Sequence, residues 1–140
     1  MYNFQIDMRV IVISGSPREN ANTEIMMKHV VEYVKQKDVE LKFINLSEGG
    51  FEYYRGWVDD YNEKTLQAAK DIMAADVWLI GTPIYNSMYS AALKNLFEFV
   101  NYKETEGKTA GLAIIASGMI GFTDLQTLLT QLMSYFRVIT

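Results

Sequence analysis

This chain alternates short extended segments with amphipathic helical patterns. Residues 8–13, 76–82 and 109–116 are apolar runs, and residues 40–46 alternate polar with apolar side chains. Such segments are typical of strands, and the stretches between them repeat apolar residues at helical spacing. The alternation constrains the fold more strongly than any other feature, because it favours a parallel sheet with helices on both faces.

The order of the predicted elements is βαβαβαβαβ. Helices are predicted at residues 23–37 and 62–75, two more helices follow, and residues 137–140 begin a fifth strand. We therefore predict an α/β fold of three layers, a doubly wound, flavodoxin-like parallel sheet with strand order 2-1-3-4-5. Residues 1–140 are expected to form one domain.

The sequence also predicts how two of the helices begin and how the chain ends. Ser87 or Ser90 can cap the third helix, and Thr123 with Gln126 has the spacing of a capping box at the fourth. The sequence stops before the fifth strand and its covering helix are complete. We therefore expect a shortened chain without the C-terminal helix, or an edge supplied by a partner.

Composition excludes several classes of function. The 140 residues contain no cysteine, which removes thiol catalysis and cysteine-ligated metal centres. The 17 acidic against 13 basic residues argue against a nucleic-acid partner. No stretch reaches the ~20 apolar residues of a membrane span, and the first residues lack a signal-peptide pattern, so a cytoplasmic location is expected. A lone histidine, His29, predicts no metal site.

Ligands of such sheets bind beyond the carboxyl ends of the strands, near the switch between strands one and three. The loop after the first strand offers side-chain donors from Ser16, Asn22 and Thr23, and Arg18 adds a forked positive charge. Because it leads into a helix N-terminus, this loop suits a phosphate monoester. The alternative is a simple turn in which Asn22 or Thr23 caps the helix.

The loops after the third and fourth strands fall on the same edge. In the first of them, Pro83 stiffens the backbone, Tyr85 offers a flat apolar surface, and Asn86 and Ser87 offer polar groups. A flat heteroaromatic ring with polar edges would suit these residues. The alternative is a strand-to-helix turn whose aromatic side chains join the core.

The loop after the fourth strand contains two glycines. Gly118 and Gly121 would let the backbone approach a ligand closely. The alternative is a glycine-rich turn before a capped helix.

The motifs in these loops resemble those of the NADPH-dependent FMN reductases over about residues 8–140. That flavodoxin-like group includes quinone, azo and chromate reductases and the iron–sulfur flavoproteins. The motifs are Gly15-Ser16-Pro17-Arg18 with Asn22-Thr23, Thr82-Pro83-Ile84-Tyr85-Asn86 with Ala91-Ala92-Leu93-Lys94-Asn95, and Ser117-Gly118-x-x-Gly121.

The resemblance implies an FMN site with three parts. The phosphate loop would comprise Ser16, Arg18, Asn22 and Thr23, the loop at the isoalloxazine ring Pro83, Ile84, Tyr85, Asn86 and Ser87, and the third loop Ser117, Gly118 and Gly121. It also implies electron transfer from NADPH or NADH through flavin N5 to a quinone, flavin, azo compound or metal acceptor. No catalytic side chain is needed. A homodimer or homotetramer is expected.

The chain departs from the family pattern in three respects, the first being that its fifth strand has no continuation, whereas family members normally finish this strand and add a terminal helix. It lacks the cysteine cluster of the iron–sulfur flavoproteins, and Gly121-Phe122 stands where a Gly-Gly pair is frequent. The alternative function is a flavodoxin-like electron carrier or flavin-binding module without nicotinamide activity. The aromatic loop, residues 51–61, either borders the flavin of a partner subunit or covers the core.

Overall fold

A computed structural model describes residues 7–140 as one four-stranded sheet with helices on both faces. All of its strand pairs are parallel, and the strand order is β2-β1-β3-β4. The strands are β1 (Arg9–Ser14), β2 (Glu40–Asn45), β3 (Val77–Pro83) and β4 (Thr109–Ile115). The predicted α/β class and the 2-1-3-4 part of the strand order are confirmed.

Four helices cover the sheet and complete the three layers. They are α1 (Asn22–Val34), α2 (Glu63–Ala74), α3 (Ala91–Glu98) and α4 (Phe122–Tyr135). Helix α1 packs on one face, and the other three pack on the opposite face. Within the part of the chain that the structure describes, no helix is long and apolar enough to cross a membrane.

The larger core lies on the face with three helices. Ile11 and Ile13 of β1 and Trp78 and Ile80 of β3 are fully buried there. The indole N–H of Trp78 donates a hydrogen bond to the carbonyl of Ile72 at 2.9 Å, so its polar group is satisfied. Burial of such large side chains stabilises the fold by roughly 1.5–3 kcal/mol each.

The face that α1 covers is less completely buried. Val12, Met27 and Val31 form its buried cluster, whereas Leu79 and Ala113 are only partly buried. Of the helices within residues 7–140, only α1 lies on this face, and Ala113 of β4 packs at the margin of its cluster. The expectation of a sheet covered on both faces is therefore confirmed, with less complete burial on the α1 face of β3 and β4 than of β1.

The predicted fifth strand is reduced to one parallel bridge between Thr109 and Ile139. The carbonyl of Ile139 accepts a hydrogen bond from the N–H of Ala110 at 2.7 Å, and the N–H of Ile139 donates to Lys108 at 2.8 Å. This bridge lies at the outer edge of β4, where the fifth strand was expected. Within the described residues, Ile139 is the only residue that pairs with this edge of β4, and a single bridge is too short to count as a strand.

Of the two predicted helix caps, the one at α3 is confirmed and the one at α4 is wrong. The hydroxyl of Ser90 caps α3 by accepting a hydrogen bond from the N–H of Leu93 at 3.0 Å, as one of the two candidate caps predicted. The capping box of Thr123 and Gln126 is wrong. The chain enters α4 through Gly121 at φ +80°, so the helix begins at Phe122 and places Thr123 inside its first turn.

Asp76 gives the fold a pH-dependent contribution. Its carboxylate accepts the backbone N–H of Arg9 at 2.8 Å, and this bond, followed by the charge of Arg9, lowers the pKa of Asp76. A lowered carboxyl pKa stabilises the protein above the unfolded pKa of about 4, and the contribution is lost as pH falls through the folded pKa. We expect Asp76→Asn to reduce the free energy of unfolding at pH 7 by about 0.5 kcal/mol, because the group is half exposed.

Urea denaturation at pH 7 and pH 3 tests this expectation. The difference between wild type and Asp76→Asn should be present at pH 7 and shrink towards zero at pH 3. Asp59→Asn is the control, since Asp59 is exposed and pairs with no cation in the described residues. An equal loss at both pH values would show that the charge of Asp76 is not responsible.

Candidate functional site

The loops after β1, β3 and β4 meet at the carboxyl edge of the sheet around a cavity of about 240 Å³. The cavity lies at the predicted switch between β1 and β3, and it includes residues from all three predicted loops. The predicted site residues on its wall are Arg18, Asn22, Thr23, Pro83, Ile84, Tyr85 and Ser117.

The other predicted residues lie in the same loops but off this wall. Ser16 is fully buried, and its hydroxyl accepts the N–H of Arg18 at 3.2 Å, so it shapes the turn that presents Arg18. The remaining four are Asn86, Ser87, Gly118 and Gly121.

The N-terminus of α1 opens towards the cavity without a side-chain cap. Its N-cap residue is Ala21, which has extended backbone and no cap hydrogen bond. The alternative in which Asn22 or Thr23 caps the helix is therefore wrong, because both residues belong to its first turn. The first backbone N–H groups and the positive end of the helix dipole remain available for an anion.

Glu24 binds the first loop on the side away from the cavity, and it was not among the residues predicted from the sequence. Its carboxylate accepts the N–H of Asn20 at 2.9 Å, the ammonium of Lys28 at 2.6 Å and the hydroxyl of Ser47 at 3.3 Å. Lys28 is the main cause of its lowered pKa. Glu24 does not line the cavity. A glutamate at the third position of a helix was the available signal.

The loop after β3 is a tight hairpin. Tyr85 and Met88 exchange both backbone hydrogen bonds, at 2.9 and 3.0 Å. Between them, Asn86 and Ser87 have positive φ values of 50° and 63°, the pattern of a type I′ turn. The second position of this turn favours glycine, and a serine there costs about 1–2 kcal/mol of backbone energy.

The two glycines of the third loop differ. Gly118 has open space where a side chain would project. Gly121 instead faces the hairpin, since a Cβ atom on it would lie 3.0 Å from the Oγ and 3.1 Å from the Cα of Ser87. Gly121 therefore approaches the neighbouring loop closely, and its approach to a ligand stays a prediction.

A buried hydroxyl joins the first two loops. The N–H of Gly15 donates to the carbonyl of Gly81 at 2.7 Å, which links the ends of β1 and β3. The hydroxyl of Ser90 donates to the carbonyl of Gly15 and caps α3, and the N–H of Ser90 donates to the hydroxyl of Thr82 at 3.3 Å. These hydrogen bonds therefore fix the ends of β1 and β3 and the start of α3 relative to one another.

The aromatic loop partly covers the core. Tyr61 is buried against Phe99, with ring centroids 4.7 Å apart, and Tyr54 packs on both. Asn95 of α3 fixes the loop by accepting the N–H of Tyr54 at 2.9 Å. Trp57 is 79% exposed. The covering role is confirmed for Tyr61, and a role of this loop at a partner subunit stays a prediction.

A larger hollow of about 480 Å³ lies between α3 and the C-terminal half of α4. Its wall includes Tyr54, Trp57, Phe97, Tyr135 and Phe136. None of the predicted site residues lies on that wall, so the smaller cavity at the carboxyl edge is the candidate site.

The sheet order and a cavity at its carboxyl edge define a flavodoxin-like ligand-binding protein. The NADPH-dependent FMN reductase family matches residues 8–140, so this chain belongs to that family. The predicted fold, the dependence on FMN and the NAD(P)H-linked oxidoreductase class are thereby confirmed at the level of the family.

The chain is also similar, in sequence and in fold, to known flavin-dependent reductases. The chain is 27% identical over 126 residues to the FMN-dependent NADPH-azoreductase of Staphylococcus aureus (strain USA300), covering 86% of this chain and 67% of that protein. A flavoenzyme NAD(P)H:(acceptor) oxidoreductase from Paracoccus denitrificans superposes with a TM-score of 0.75 at 25% identity, covering 94% and 74% of the two chains. An apo NADH:FMN oxidoreductase superposes with a TM-score of 0.78 at 21% identity, covering 94% and 70%.

Ser90→Ala tests the link between the loops. The substitution leaves the buried carbonyl of Gly15 and the first turn of α3 without their partner, and we expect a loss of about 1–3 kcal/mol in the free energy of unfolding. Urea denaturation measures the loss, and Ser134→Ala, on the exposed side of α4, is the control. Equal stability of the two variants would contradict the role given to Ser90.

Proposed function

We propose that the cavity binds FMN with its phosphate at the N-terminus of α1. The uncapped first turn supplies backbone N–H groups, and Arg18 supplies a permanent positive charge. Arg18 forms no ion pair with a carboxylate of residues 7–140, so its guanidinium is free for an anion. The uncapped helix start beside this arginine is the observation that carries the proposal.

In this proposal the hairpin and the third loop hold the ring end of the cofactor. Pro83, Ile84 and Tyr85 present apolar surface at the cavity, which suits a flat aromatic system. Asn86 and Ser87 lie at the tip of the hairpin with polar side chains, and Ser117 of the third loop lies on the cavity wall, followed by Gly118.

Bound FMN would supply the redox chemistry, in which electrons from NADPH or NADH pass to a small-molecule acceptor. The protein binds and orients the cofactor. Among the described residues, Arg18 and Tyr85 are the titratable side chains on the cavity wall. The azoreductase relative supports an azo compound as acceptor, with quinones, free flavin and metal acceptors as further candidates.

Anaerobic spectroscopy tests the proposal. Purified protein supplied with FMN should show bound-flavin absorbance, and NADPH or NADH should bleach it. Bound flavin that neither nicotinamide bleaches would support the alternative, an electron carrier or flavin-binding module. Failure to take up FMN on titration would refute both functions.

Arg18→Ala tests the phosphate position. Loss of the guanidinium should weaken FMN binding by about tenfold to a hundredfold, because a hydrogen bond to a charged group contributes about 1.5–3 kcal/mol. Quenching of flavin fluorescence measures the affinity. Arg137→Ala is the matched control, since Arg137 pairs with Glu106 at 2.8 Å on another part of the surface. Equal affinities of the two variants would place the phosphate elsewhere.

The proposal includes a homodimer or homotetramer in the cytoplasm. Large exposed apolar side chains support an interface between copies, among them Trp57 at 79%, Met119 at 86% and Ile120 at 91% exposure. A cytoplasmic location accords with a nicotinamide electron donor. Sedimentation velocity and cell fractionation measure these two properties.

A further inference from the structure

Ser87 has a left-handed backbone conformation, which is unfavourable for a residue that carries a side chain. It occupies the second position of the type I′ turn at φ 63°, where glycine is the favoured residue. No hydrogen bond within the described residues uses its hydroxyl, so no local bond of the side chain accounts for the conformation. Departures from local rules of this kind concentrate at functional sites.

Gly121 supports that conformation from the neighbouring loop. Any Cβ atom on Gly121 would lie 3.0 Å from the Oγ of Ser87, 3.1 Å from its Cα and 3.3 Å from its Cβ. These distances are tight for backbone and side chain together, so a side chain on Gly121 would require the hairpin to shift by a few tenths of an ångström. Gly121 itself has φ +80° and begins α4. The contact therefore joins the hairpin to a helix start.

We infer that Gly121 is a positioning residue, which acts by holding Ser87 and the hairpin tip rather than by touching the cofactor. The inference rests on the proposed function for its consequence, because this tip would lie at the ring end of FMN. Without the packing of Gly121, the hairpin loses the contact that opposes relaxation of Ser87.

Four variants isolate the contact. Gly121→Ala introduces both backbone strain and a tight contact with Ser87. Gly107→Ala is the matched control, since Gly107 has the same φ of +80° and no atom within 4 Å of an added Cβ. Ser87→Gly removes the side chain and the strain of the hairpin. The double variant Ser87→Gly/Gly121→Ala lacks the contacts with Oγ and Cβ, and a hairpin freed of the strain at residue 87 can shift to relieve the remaining contact with its Cα.

Amide hydrogen exchange in the flavin-free protein is the first readout. The N–H groups of Tyr85 and Met88 close the hairpin, so they report its opening. Gly121→Ala should accelerate their exchange about tenfold relative to wild type, the effect of about 1.4 kcal/mol. The amides of β1 serve as reference for global unfolding. Gly107→Ala should leave the hairpin amides unchanged relative to that reference.

The double variant decides whether Ser87 transmits the effect. In the Ser87→Gly background, adding Gly121→Ala should change hairpin exchange by less than about threefold, because coupled residues are not additive. An equal acceleration in both backgrounds, or none in the Gly121→Ala variant, would overturn the inference.

FMN affinity and the flavin reduction potential are the second readout. Gly121→Ala should weaken FMN binding and shift the potential, whereas Gly107→Ala should do neither. If the wild-type protein takes up no FMN, the proposed function fails, and the exchange data still decide whether Gly121 holds the hairpin. Altered exchange with unchanged affinity and potential would overturn the positioning role towards the cofactor.

Discussion

The junction between the ends of β1 and β3 is the constraint on which the site depends. The N–H of Gly15 reaches the carbonyl of Gly81 at 2.7 Å, and a Cβ atom on Gly15 would stand at that same distance from the carbonyl oxygen. The chain must therefore leave β1 through a residue without a side chain. The hydroxyl of Ser90, at the start of α3, donates to the carbonyl of Gly15. The starts of the first two loops are therefore fixed relative to each other.

Charge is divided between the two sides of the α1 N-terminus. Glu24 lies on the side of β2, where Lys28 and the N–H of Asn20 satisfy it. The side towards β4 has Arg18 and the uncapped helix start. A carboxylate on that side would repel an anion, whereas Glu24 shapes the loop and leaves the cavity positive.

The sequence predicted the parts of the structure that depend on side-chain periodicity. Apolar runs placed β1 and β3 within one or two residues of their observed bounds, and shared strand direction brought three loops to one edge. The predictions from sequence failed where backbone dihedral angles determine the start of a helix or the shape of a turn. The start of α4 depends on the left-handed Gly121, and the start of α1 on Ala21, which has no cap signal. The hairpin of Tyr85 and Met88 was missed because Asn-Ser is not the usual type I′ pair.

The three loops differ in the support beneath them. The first two extend from β1 and β3, each with five buried residues, whereas the third extends from β4, in which only Ala110 is buried. Local opening costs less where apolar burial is lower. The third loop is thus the least supported part of the site, and Gly121 packs it against the hairpin that follows β3. That packing stabilises both sides at once, because it restricts the third loop and opposes relaxation of the strained Ser87. A strained turn and a weakly supported loop therefore hold each other in place at the carboxyl edge of the sheet.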